Sequence, residues 1–250
     1  MIKLLGLEYY KIRRKKIGIM MILFLVIEML WAFMSISRSI ASNPDHAVWE
    51  SVFFSISSMN GLFMPIMSAV VVSRICDMEH KGSTWKMLAA TNVGRGRLYA
   101  AKYICTNSLV LYGIGVQALF IIVIGLTKDF PGSLPSDLLF RFVGGTLLTT
   151  LAVTALQQWI SFAIKNQAFA LCLGMLGGFI GMTAGLFPAA IRHLLIWSYY
   201  LDLSPVTYRY AESASVYIVQ PESVGIILGS LIMTLLFYFV GNFQVSRQEI

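Results

Sequence analysis

The feature that most constrains this chain is a set of six apolar segments, each about as long as a membrane-spanning helix. A helix needs roughly 20 mostly apolar residues to cross the hydrocarbon core, because backbone polar groups left unpaired in lipid are costly. The segments are Ile17–Ser35, Val52–Val72, Ile104–Gly125, Phe142–Ile164, Ala168–Leu186 and Val224–Val240. They predict an all-α polytopic membrane protein with six transmembrane helices, in which residues 1–250 form a single transmembrane domain.

The composition supports lipid as part of the solvent. Of the 250 residues, 57% are hydrophobic and only 12% are charged. Soluble domains usually carry about 25% charged residues, so this chain has too little polar surface to face water on all sides. Six spans and their connections use up the length, and no room remains for a separate soluble catalytic domain.

The basic residues predict the orientation of the chain. With the N-terminus placed inside, 14 Lys and Arg residues lie on the cytoplasmic side and 5 on the outer side. Such an excess marks the cytoplasmic loops, so we expect both termini in the cytoplasm of a cell whose plasma membrane holds the protein. The net charge of +7 is therefore a topology signal, and it does not indicate a nucleic-acid partner.

Three segments outside the spans carry further predictions. Met1–Lys16 is amphipathic and basic, which is typical of a helix lying in the inner membrane interface. Ser73–Lys102 is the longest cytoplasmic segment, and its first half favours a helix carrying Trp85, shaped to dock on a partner or to rest on the bilayer. The aromatic segment Phe187–Ser223 is expected to form an outer interfacial helix or to re-enter the membrane.

A search for chemistry finds no catalytic motif and no metal-ligand spacing. The sequence has no G-x-x-x-x-G-K-[ST] phosphate loop and no H-E-x-x-H pair, and its three histidines are far apart. Among acidic and basic residues, Glu28 alone lies well inside a predicted span, which makes it a candidate for a substrate path or an interface. Four glycines of the fifth span have the spacing of a close helix contact; they are Gly174, Gly178, Gly181 and Gly185.

The cytoplasmic loop carries a resemblance to a known family. Residues 79–88 read Glu-His-Lys-Gly-Ser-Thr-Trp-Lys-Met-Leu, and residues 95–102 read Arg-Gly-Arg-Leu-Tyr-Ala-Ala-Lys. This pattern resembles the loop after the second span of permease subunits in type-2 ATP-binding-cassette (ABC) exporters. Residues 92–94, Asn-Val-Gly, depart from it where a proline is common. Size and the lack of a large outer domain look most similar to permeases of lantibiotic immunity and bacitracin-type resistance in Gram-positive bacteria.

The resemblance implies a function and partners. It implies a permease that is not itself an enzyme and works with two cytoplasmic ABC ATPase subunits, which would hold ATP and Mg²⁺, and with a second permease chain. Such a complex would expel a membrane-active antimicrobial peptide. The docking residues on the coupling helix would be Glu79, Gly82, Ser83, Trp85, Lys86 and Leu88. An ion-coupled carrier and a non-transporting membrane assembly factor remain alternatives.

Overall fold

The protein, seen in a computed structural model that describes residues 2–81, 94–164, 166–210 and 215–247, is a bundle of long helices with one small sheet. The long helices are α1 (Ile2–Arg14), α2 (Ile17–Ser42), α3 (Trp49–Lys81), α4 (Arg95–Thr127), α5 (Ser136–Ala163), α6 (Gln167–Met182) and α9 (Val224–Arg247). Two one-turn helices, α7 (Ala189–Arg192) and α8 (Tyr199–Asp202), precede the strands β1 (Val206–Tyr210) and β2 (Ser215–Val219).

Five helices of the described residues are long and apolar enough to cross a membrane. They correspond to the first four predicted spans and to the last one, and are α2, α3, α4, α5 and α9. The predicted fifth span is represented by α6, whose 16 residues extend about 24 Å, against about 30 Å of hydrocarbon. The count of six spans therefore stays a prediction, although the chain is a mostly helical, multi-pass membrane protein.

Several helices continue beyond the apolar segments that reveal them. Helix α2 ends at Ser42 instead of Ser35, and α4 begins at Arg95 instead of Ile104. The reason is that hydropathy reports only the part of a helix that lipid covers, whereas backbone hydrogen bonding continues through polar turns. Helix α6 ends earlier than expected, at Met182, and one 3₁₀ turn follows at Ala184–Leu186.

Helix α3 is the centre of the bundle. Of its most apolar 18-residue window, 61% is buried inside the protein, compared with 11% for α9. Helices α2, α5 and α6 pack against α3. Helix α2 leaves Ile22, Leu23, Leu30 and Trp31 exposed. An apolar helix face without protein contacts is suited to lipid, so α2 and α9 form the periphery.

The segment between α6 and α9 folds back into the bundle. Ile196, Tyr199 and Tyr200 are buried, and the hydroxyl of Tyr200 lies 2.9 Å from the hydroxyl of Thr150 in α5. In contrast, Leu194 is exposed. The aromatic residues that predicted an interfacial helix thus belong largely to the protein interior.

An antiparallel hairpin follows, which the expected all-α fold did not include. Strands β1 and β2 pair Val206 with Val219 and Tyr208 with Tyr217. The rings of these two tyrosines pack on Phe54 of α3. β-branched and aromatic residues favour strands where they meet a half-buried surface, and α3 provides that surface.

Candidate functional site

One of the predicted docking residues lies at the end of a described helix, and the others lie outside the described residues. Residues 79–81 form the last turn of α3, so the backbone of Glu79 is helical. The remaining docking residues, Gly82, Ser83, Trp85, Lys86 and Leu88, lie outside the described residues. What the structure does show is the support of this loop, because α3 ends directly before it and α4 begins directly after it.

A buried ion pair connects this support to the N-terminal helix. Lys102 of α4 is fully buried and its Nζ lies 2.7 Å from Oε2 of Glu8 in α1. The other carboxylate oxygen of Glu8 lies 2.8 Å from Nζ of Lys11. Lys102 also donates to the backbone carbonyl of Ile75 in α3, at 3.4 Å. One ammonium group therefore joins α1, α3 and α4 next to the loop.

The pairing of Glu8 with Lys102 is not evident from the sequence pattern. Glu8 was part of an amphipathic helix, and Lys102 was a basic residue at the start of a span. One sequence feature indicates such a pair: Glu8 is the only acidic residue among the first 27 residues. Burying a charge is costly unless an opposite charge meets it, so a lone acid in a basic, apolar helix pointed to an internal partner.

Glu28 lies inside the bundle in a polar cluster. Its side chain is buried, and Oε1 accepts a hydrogen bond from Nε2 of Gln117 in α4 at 3.0 Å. The same nitrogen donates to Oδ1 of Asn60 in α3 at 2.7 Å, and Asn60 donates back at 3.3 Å. The cluster joins α2, α3 and α4 inside the bundle. A role for Glu28 in a substrate path stays a prediction.

The glycines of α6 face α3 across a very short distance. A Cβ atom on Gly178 would lie 2.7 Å from the carbonyl oxygen of Leu62. One on Gly174 would collide with Cβ of Ala69, and one on Gly181 with the carbonyl oxygen of Gly61. Gly185 differs, because a Cβ there would make only ordinary contact with Leu201, at 3.7 Å. The close approach is thus made within the chain by three of the four glycines.

The far end of the bundle carries a second group of charges. Arg141 of α5 lies 3.3 Å from Glu222 and 3.9 Å from Asp137, and it donates to the carbonyl of Gln220. Nearby, Nε of Arg192 lies 2.7 Å from Oδ1 of Asp202. Burial raises the pKa of the Asp202 carboxyl above its ordinary value, while the charges of Arg192 and His193 oppose that shift.

Within the described residues, no group of three or more His, Cys, Asp or Glu side chains is placed to hold a metal ion. The polar groups of the structure instead form pairs and small clusters that connect helices. Such an arrangement is suited to holding helices together and to contacting a partner or a ligand.

Comparison with known proteins adds a family. The family model described as "ABC-2 family transporter protein" matches residues 4–181, from α1 to the end of α6. This match covers more than two thirds of the chain and includes the loop between α3 and α4. A search of curated proteins finds no significant match.

Proposed function

The chain belongs to the ABC-2 transporter family, as a membrane permease of an ABC transporter, and we propose that it is the permease of an exporter that expels a membrane-active antimicrobial peptide. The family match favours an ABC transporter permease over an ion-coupled carrier or an assembly factor. Membership of the family implies association with ABC ATPase subunits. The second permease, the peptide substrate and the cytoplasmic placement of both termini are parts of the proposal.

The observation that carries the proposal is the buried ion pair that joins the two helices flanking the loop between α3 and α4 to α1. The chain has no phosphate loop. It must therefore receive the energy of ATP hydrolysis through contact with the ATPase. The loop connects two helices of 33 residues each, and Lys102 joins both of them to α1 through Glu8 and the carbonyl of Ile75. A force on the loop would therefore reach three helices together.

We propose that Trp85 is the main docking contact of this loop, with Glu79 and Lys86 orienting it through charge. Interface hot spots are often aromatic residues set in a partner pocket, and their truncation commonly costs about 2 kcal/mol or more. Charges at an exposed rim contribute less to affinity and more to orientation. Gly82, Ser83 and Leu88 complete the docking residues.

The test is co-purification of the permease with its ATPase. Trp85→Ala should weaken association by about 2 kcal/mol, roughly 30-fold, without removing the permease from the membrane. Trp31→Ala is the matched control, because Trp31 is an exposed ring of α2 at a distance from the loop in sequence. If Trp85→Ala co-purified with its ATPase at the wild-type yield and cells kept their peptide tolerance, the docking assignment would be wrong.

A further inference from the structure

Two clefts open at the end of the bundle opposite to the N-terminal helix. The larger one, here called the acidic cleft, has a volume of about 290 Å³ and lies between the first turns of α5 and α9 and the end of α8. The smaller one, about 250 Å³, lies between α8 and the hairpin. Asp202 lines both clefts, so it forms part of the wall between them.

Asp202 is an incompletely satisfied carboxylate. Its side chain is only 3% exposed, and Oδ1 is paired with Arg192. The second oxygen, Oδ2, has no hydrogen-bond partner within the described residues. An unpaired buried acceptor carries a free-energy cost that a ligand donor can remove. An incoming cation would also offset the desolvation that raises the pKa of this carboxyl.

The residues that line the acidic cleft carry a net negative formal charge. They include three acidic residues, Asp137, Asp202 and Glu222, and one basic residue, Arg141. Arg192, the partner of Asp202, lines the smaller cleft instead. Arg141 is engaged with Glu222, Asp137 and the carbonyl of Gln220. Asp137 and Glu222 are 79% and 59% exposed and form the rim, whereas Asp202 lies deep. The cleft therefore presents acid at its mouth and at its floor.

One side of the cleft is apolar and belongs to membrane-spanning helices. Phe140 and Leu148 of α5 and Ile227 of α9 line it, and Phe140 is exposed. We propose that the acidic cleft binds the ammonium or guanidinium group of a cationic, membrane-inserted peptide, with Asp202 receiving the charge and the apolar wall contacting its hydrophobic residues. This assignment rests on the proposed function in taking a peptide as the ligand.

Two other cations fit the cleft less well. A metal ion would need a cluster of ligands, and the described residues contain no group of three acidic, His or Cys side chains placed for one. A phospholipid ammonium group brings a phosphate with it, and three carboxylates would repel that phosphate. A basic peptide has a cation without an adjoining anion, and it matches both the acid and the apolar wall.

The test measures binding to the full-length permease in nanodiscs of phosphatidylcholine. The probe is a fluorescent amphipathic peptide of lysine and leucine, and its partner probe has every lysine acetylated, which removes the charge. Asp202→Asn should weaken binding of the cationic probe about tenfold, the effect of losing one charged hydrogen bond. Binding of the acetylated probe should not change. Asp45→Asn, an exposed position before α3, is the matched control for loss of one negative charge.

Two further arms keep the result interpretable. If Asp202→Asn fails to give monodisperse protein, the double variant Asp137→Asn/Glu222→Gln removes rim charges and should still weaken the cationic probe several-fold. Equal affinity of the cationic probe for the wild type and these variants would overturn the proposal. Loss of probe binding in phosphatidylethanolamine nanodiscs would also overturn it, because a lipid ammonium would then occupy the cleft.

The outcomes also separate this proposal from the proposed function. Suppose that probe binding is unchanged in the variants, while the wild type associates with the ATPase and supports peptide tolerance. Only the assignment of the acidic cleft as a binding site would then be wrong. Suppose instead that probe binding depends on charge, but the permease neither associates with an ATPase nor supports tolerance. The proposed exporter function would then be wrong, and the cleft would remain a cation site.

Discussion

At the scale of single residues, the largest predicted effect belongs to the Glu8–Lys102 pair. Removing one partner of a buried ion pair typically costs 3–5 kcal/mol, because the other charge stays buried without compensation. Lys102→Met should therefore lower the free energy of unfolding by about 3 kcal/mol, the lower end of that range, since Glu8 keeps Lys11 at 2.8 Å. Thermal unfolding in detergent measures this change.

The control for that variant is Lys3→Met, which removes the same kind of charge from an exposed position of α1. The double variant Glu8→Leu/Lys102→Met should recover most of the lost stability, because apolar replacement of both partners is often neutral. Wild-type stability of Lys102→Met would show that the pair does not hold α1 in the folded protein.

Glu28 allows a second residue-scale prediction. Glu28→Gln keeps the size of the side chain and an acceptor for Gln117, so expression and the elution volume in size-exclusion chromatography should stay at wild-type values. If Glu28 serves transport through its charge, this variant should reduce the tolerance of cells to the exported peptide. Unchanged tolerance would remove Glu28 from the substrate path.

Glu28→Leu separates the two roles of this side chain. It removes the acceptor and leaves the Gln117–Asn60 amide pair without its third member. Tolerance that survives Glu28→Gln but is lost with Glu28→Leu would assign Glu28 to holding α2 against α4.

At the scale of elements, the contact between α6 and α3 depends on small residues. Gly178→Leu should cost about 3 kcal/mol or more, the upper end of overpacking effects, because the new side chain meets the backbone of Leu62 and the helices must separate. The yield of monodisperse protein and its thermal midpoint report the effect.

Gly115→Leu is the matched control for this substitution. Gly115 lies in the interior of α4 at an exposed position, and a Cβ atom there would have no other atom within 4 Å, so we expect leucine to fit and to improve helix propensity. A wild-type thermal midpoint for Gly178→Leu would contradict the packing, whereas equal damage in both variants would point to a general effect of leucine.

At the scale of the whole molecule, the excess of basic residues on one side predicts the orientation. A cysteine at Ser133, which is exposed in the connection between α4 and α5, should react with an impermeant thiol reagent added to intact cells. A cysteine at the exposed Ser246 near the end of α9 should react only after the cells are opened. The parent protein with its three native cysteines provides the baseline. The reverse pattern would place both termini outside.

The hairpin and the short helix α6 show which elements sequence reasoning missed. The run Val-Thr-Tyr-Arg-Tyr and the run Ser-Val-Tyr-Ile-Val carry a recognisable strand signal, but a long aromatic segment outside the spans indicated an interfacial helix more strongly. The extent of α6 was overestimated because apolar residues continue through the 3₁₀ turn at Ala184–Leu186. Hydropathy indicates which residues are apolar, but it does not indicate where the helical hydrogen bonds end.

The sequence by itself determined that this is a membrane protein, and it located most of the long helices. The physical reason is local: every backbone polar group in lipid must pair within its own segment, so apolar length translates directly into helix. The spacing of the α6 glycines is equally local, and it indicated a close helix contact before the partner was known. The basic loop motif pointed to the family in the same way.

Only the tertiary structure decided which distant residues meet. Glu8 and Lys102 are 94 positions apart, and Glu28 and Gln117 are 89 apart. Asp202 reached two clefts because α8 folds back between α5 and the hairpin. Such pairings depend on how each helix is rotated and tilted against its neighbours. That choice is made by the packing of whole helix faces, and no single segment contains it.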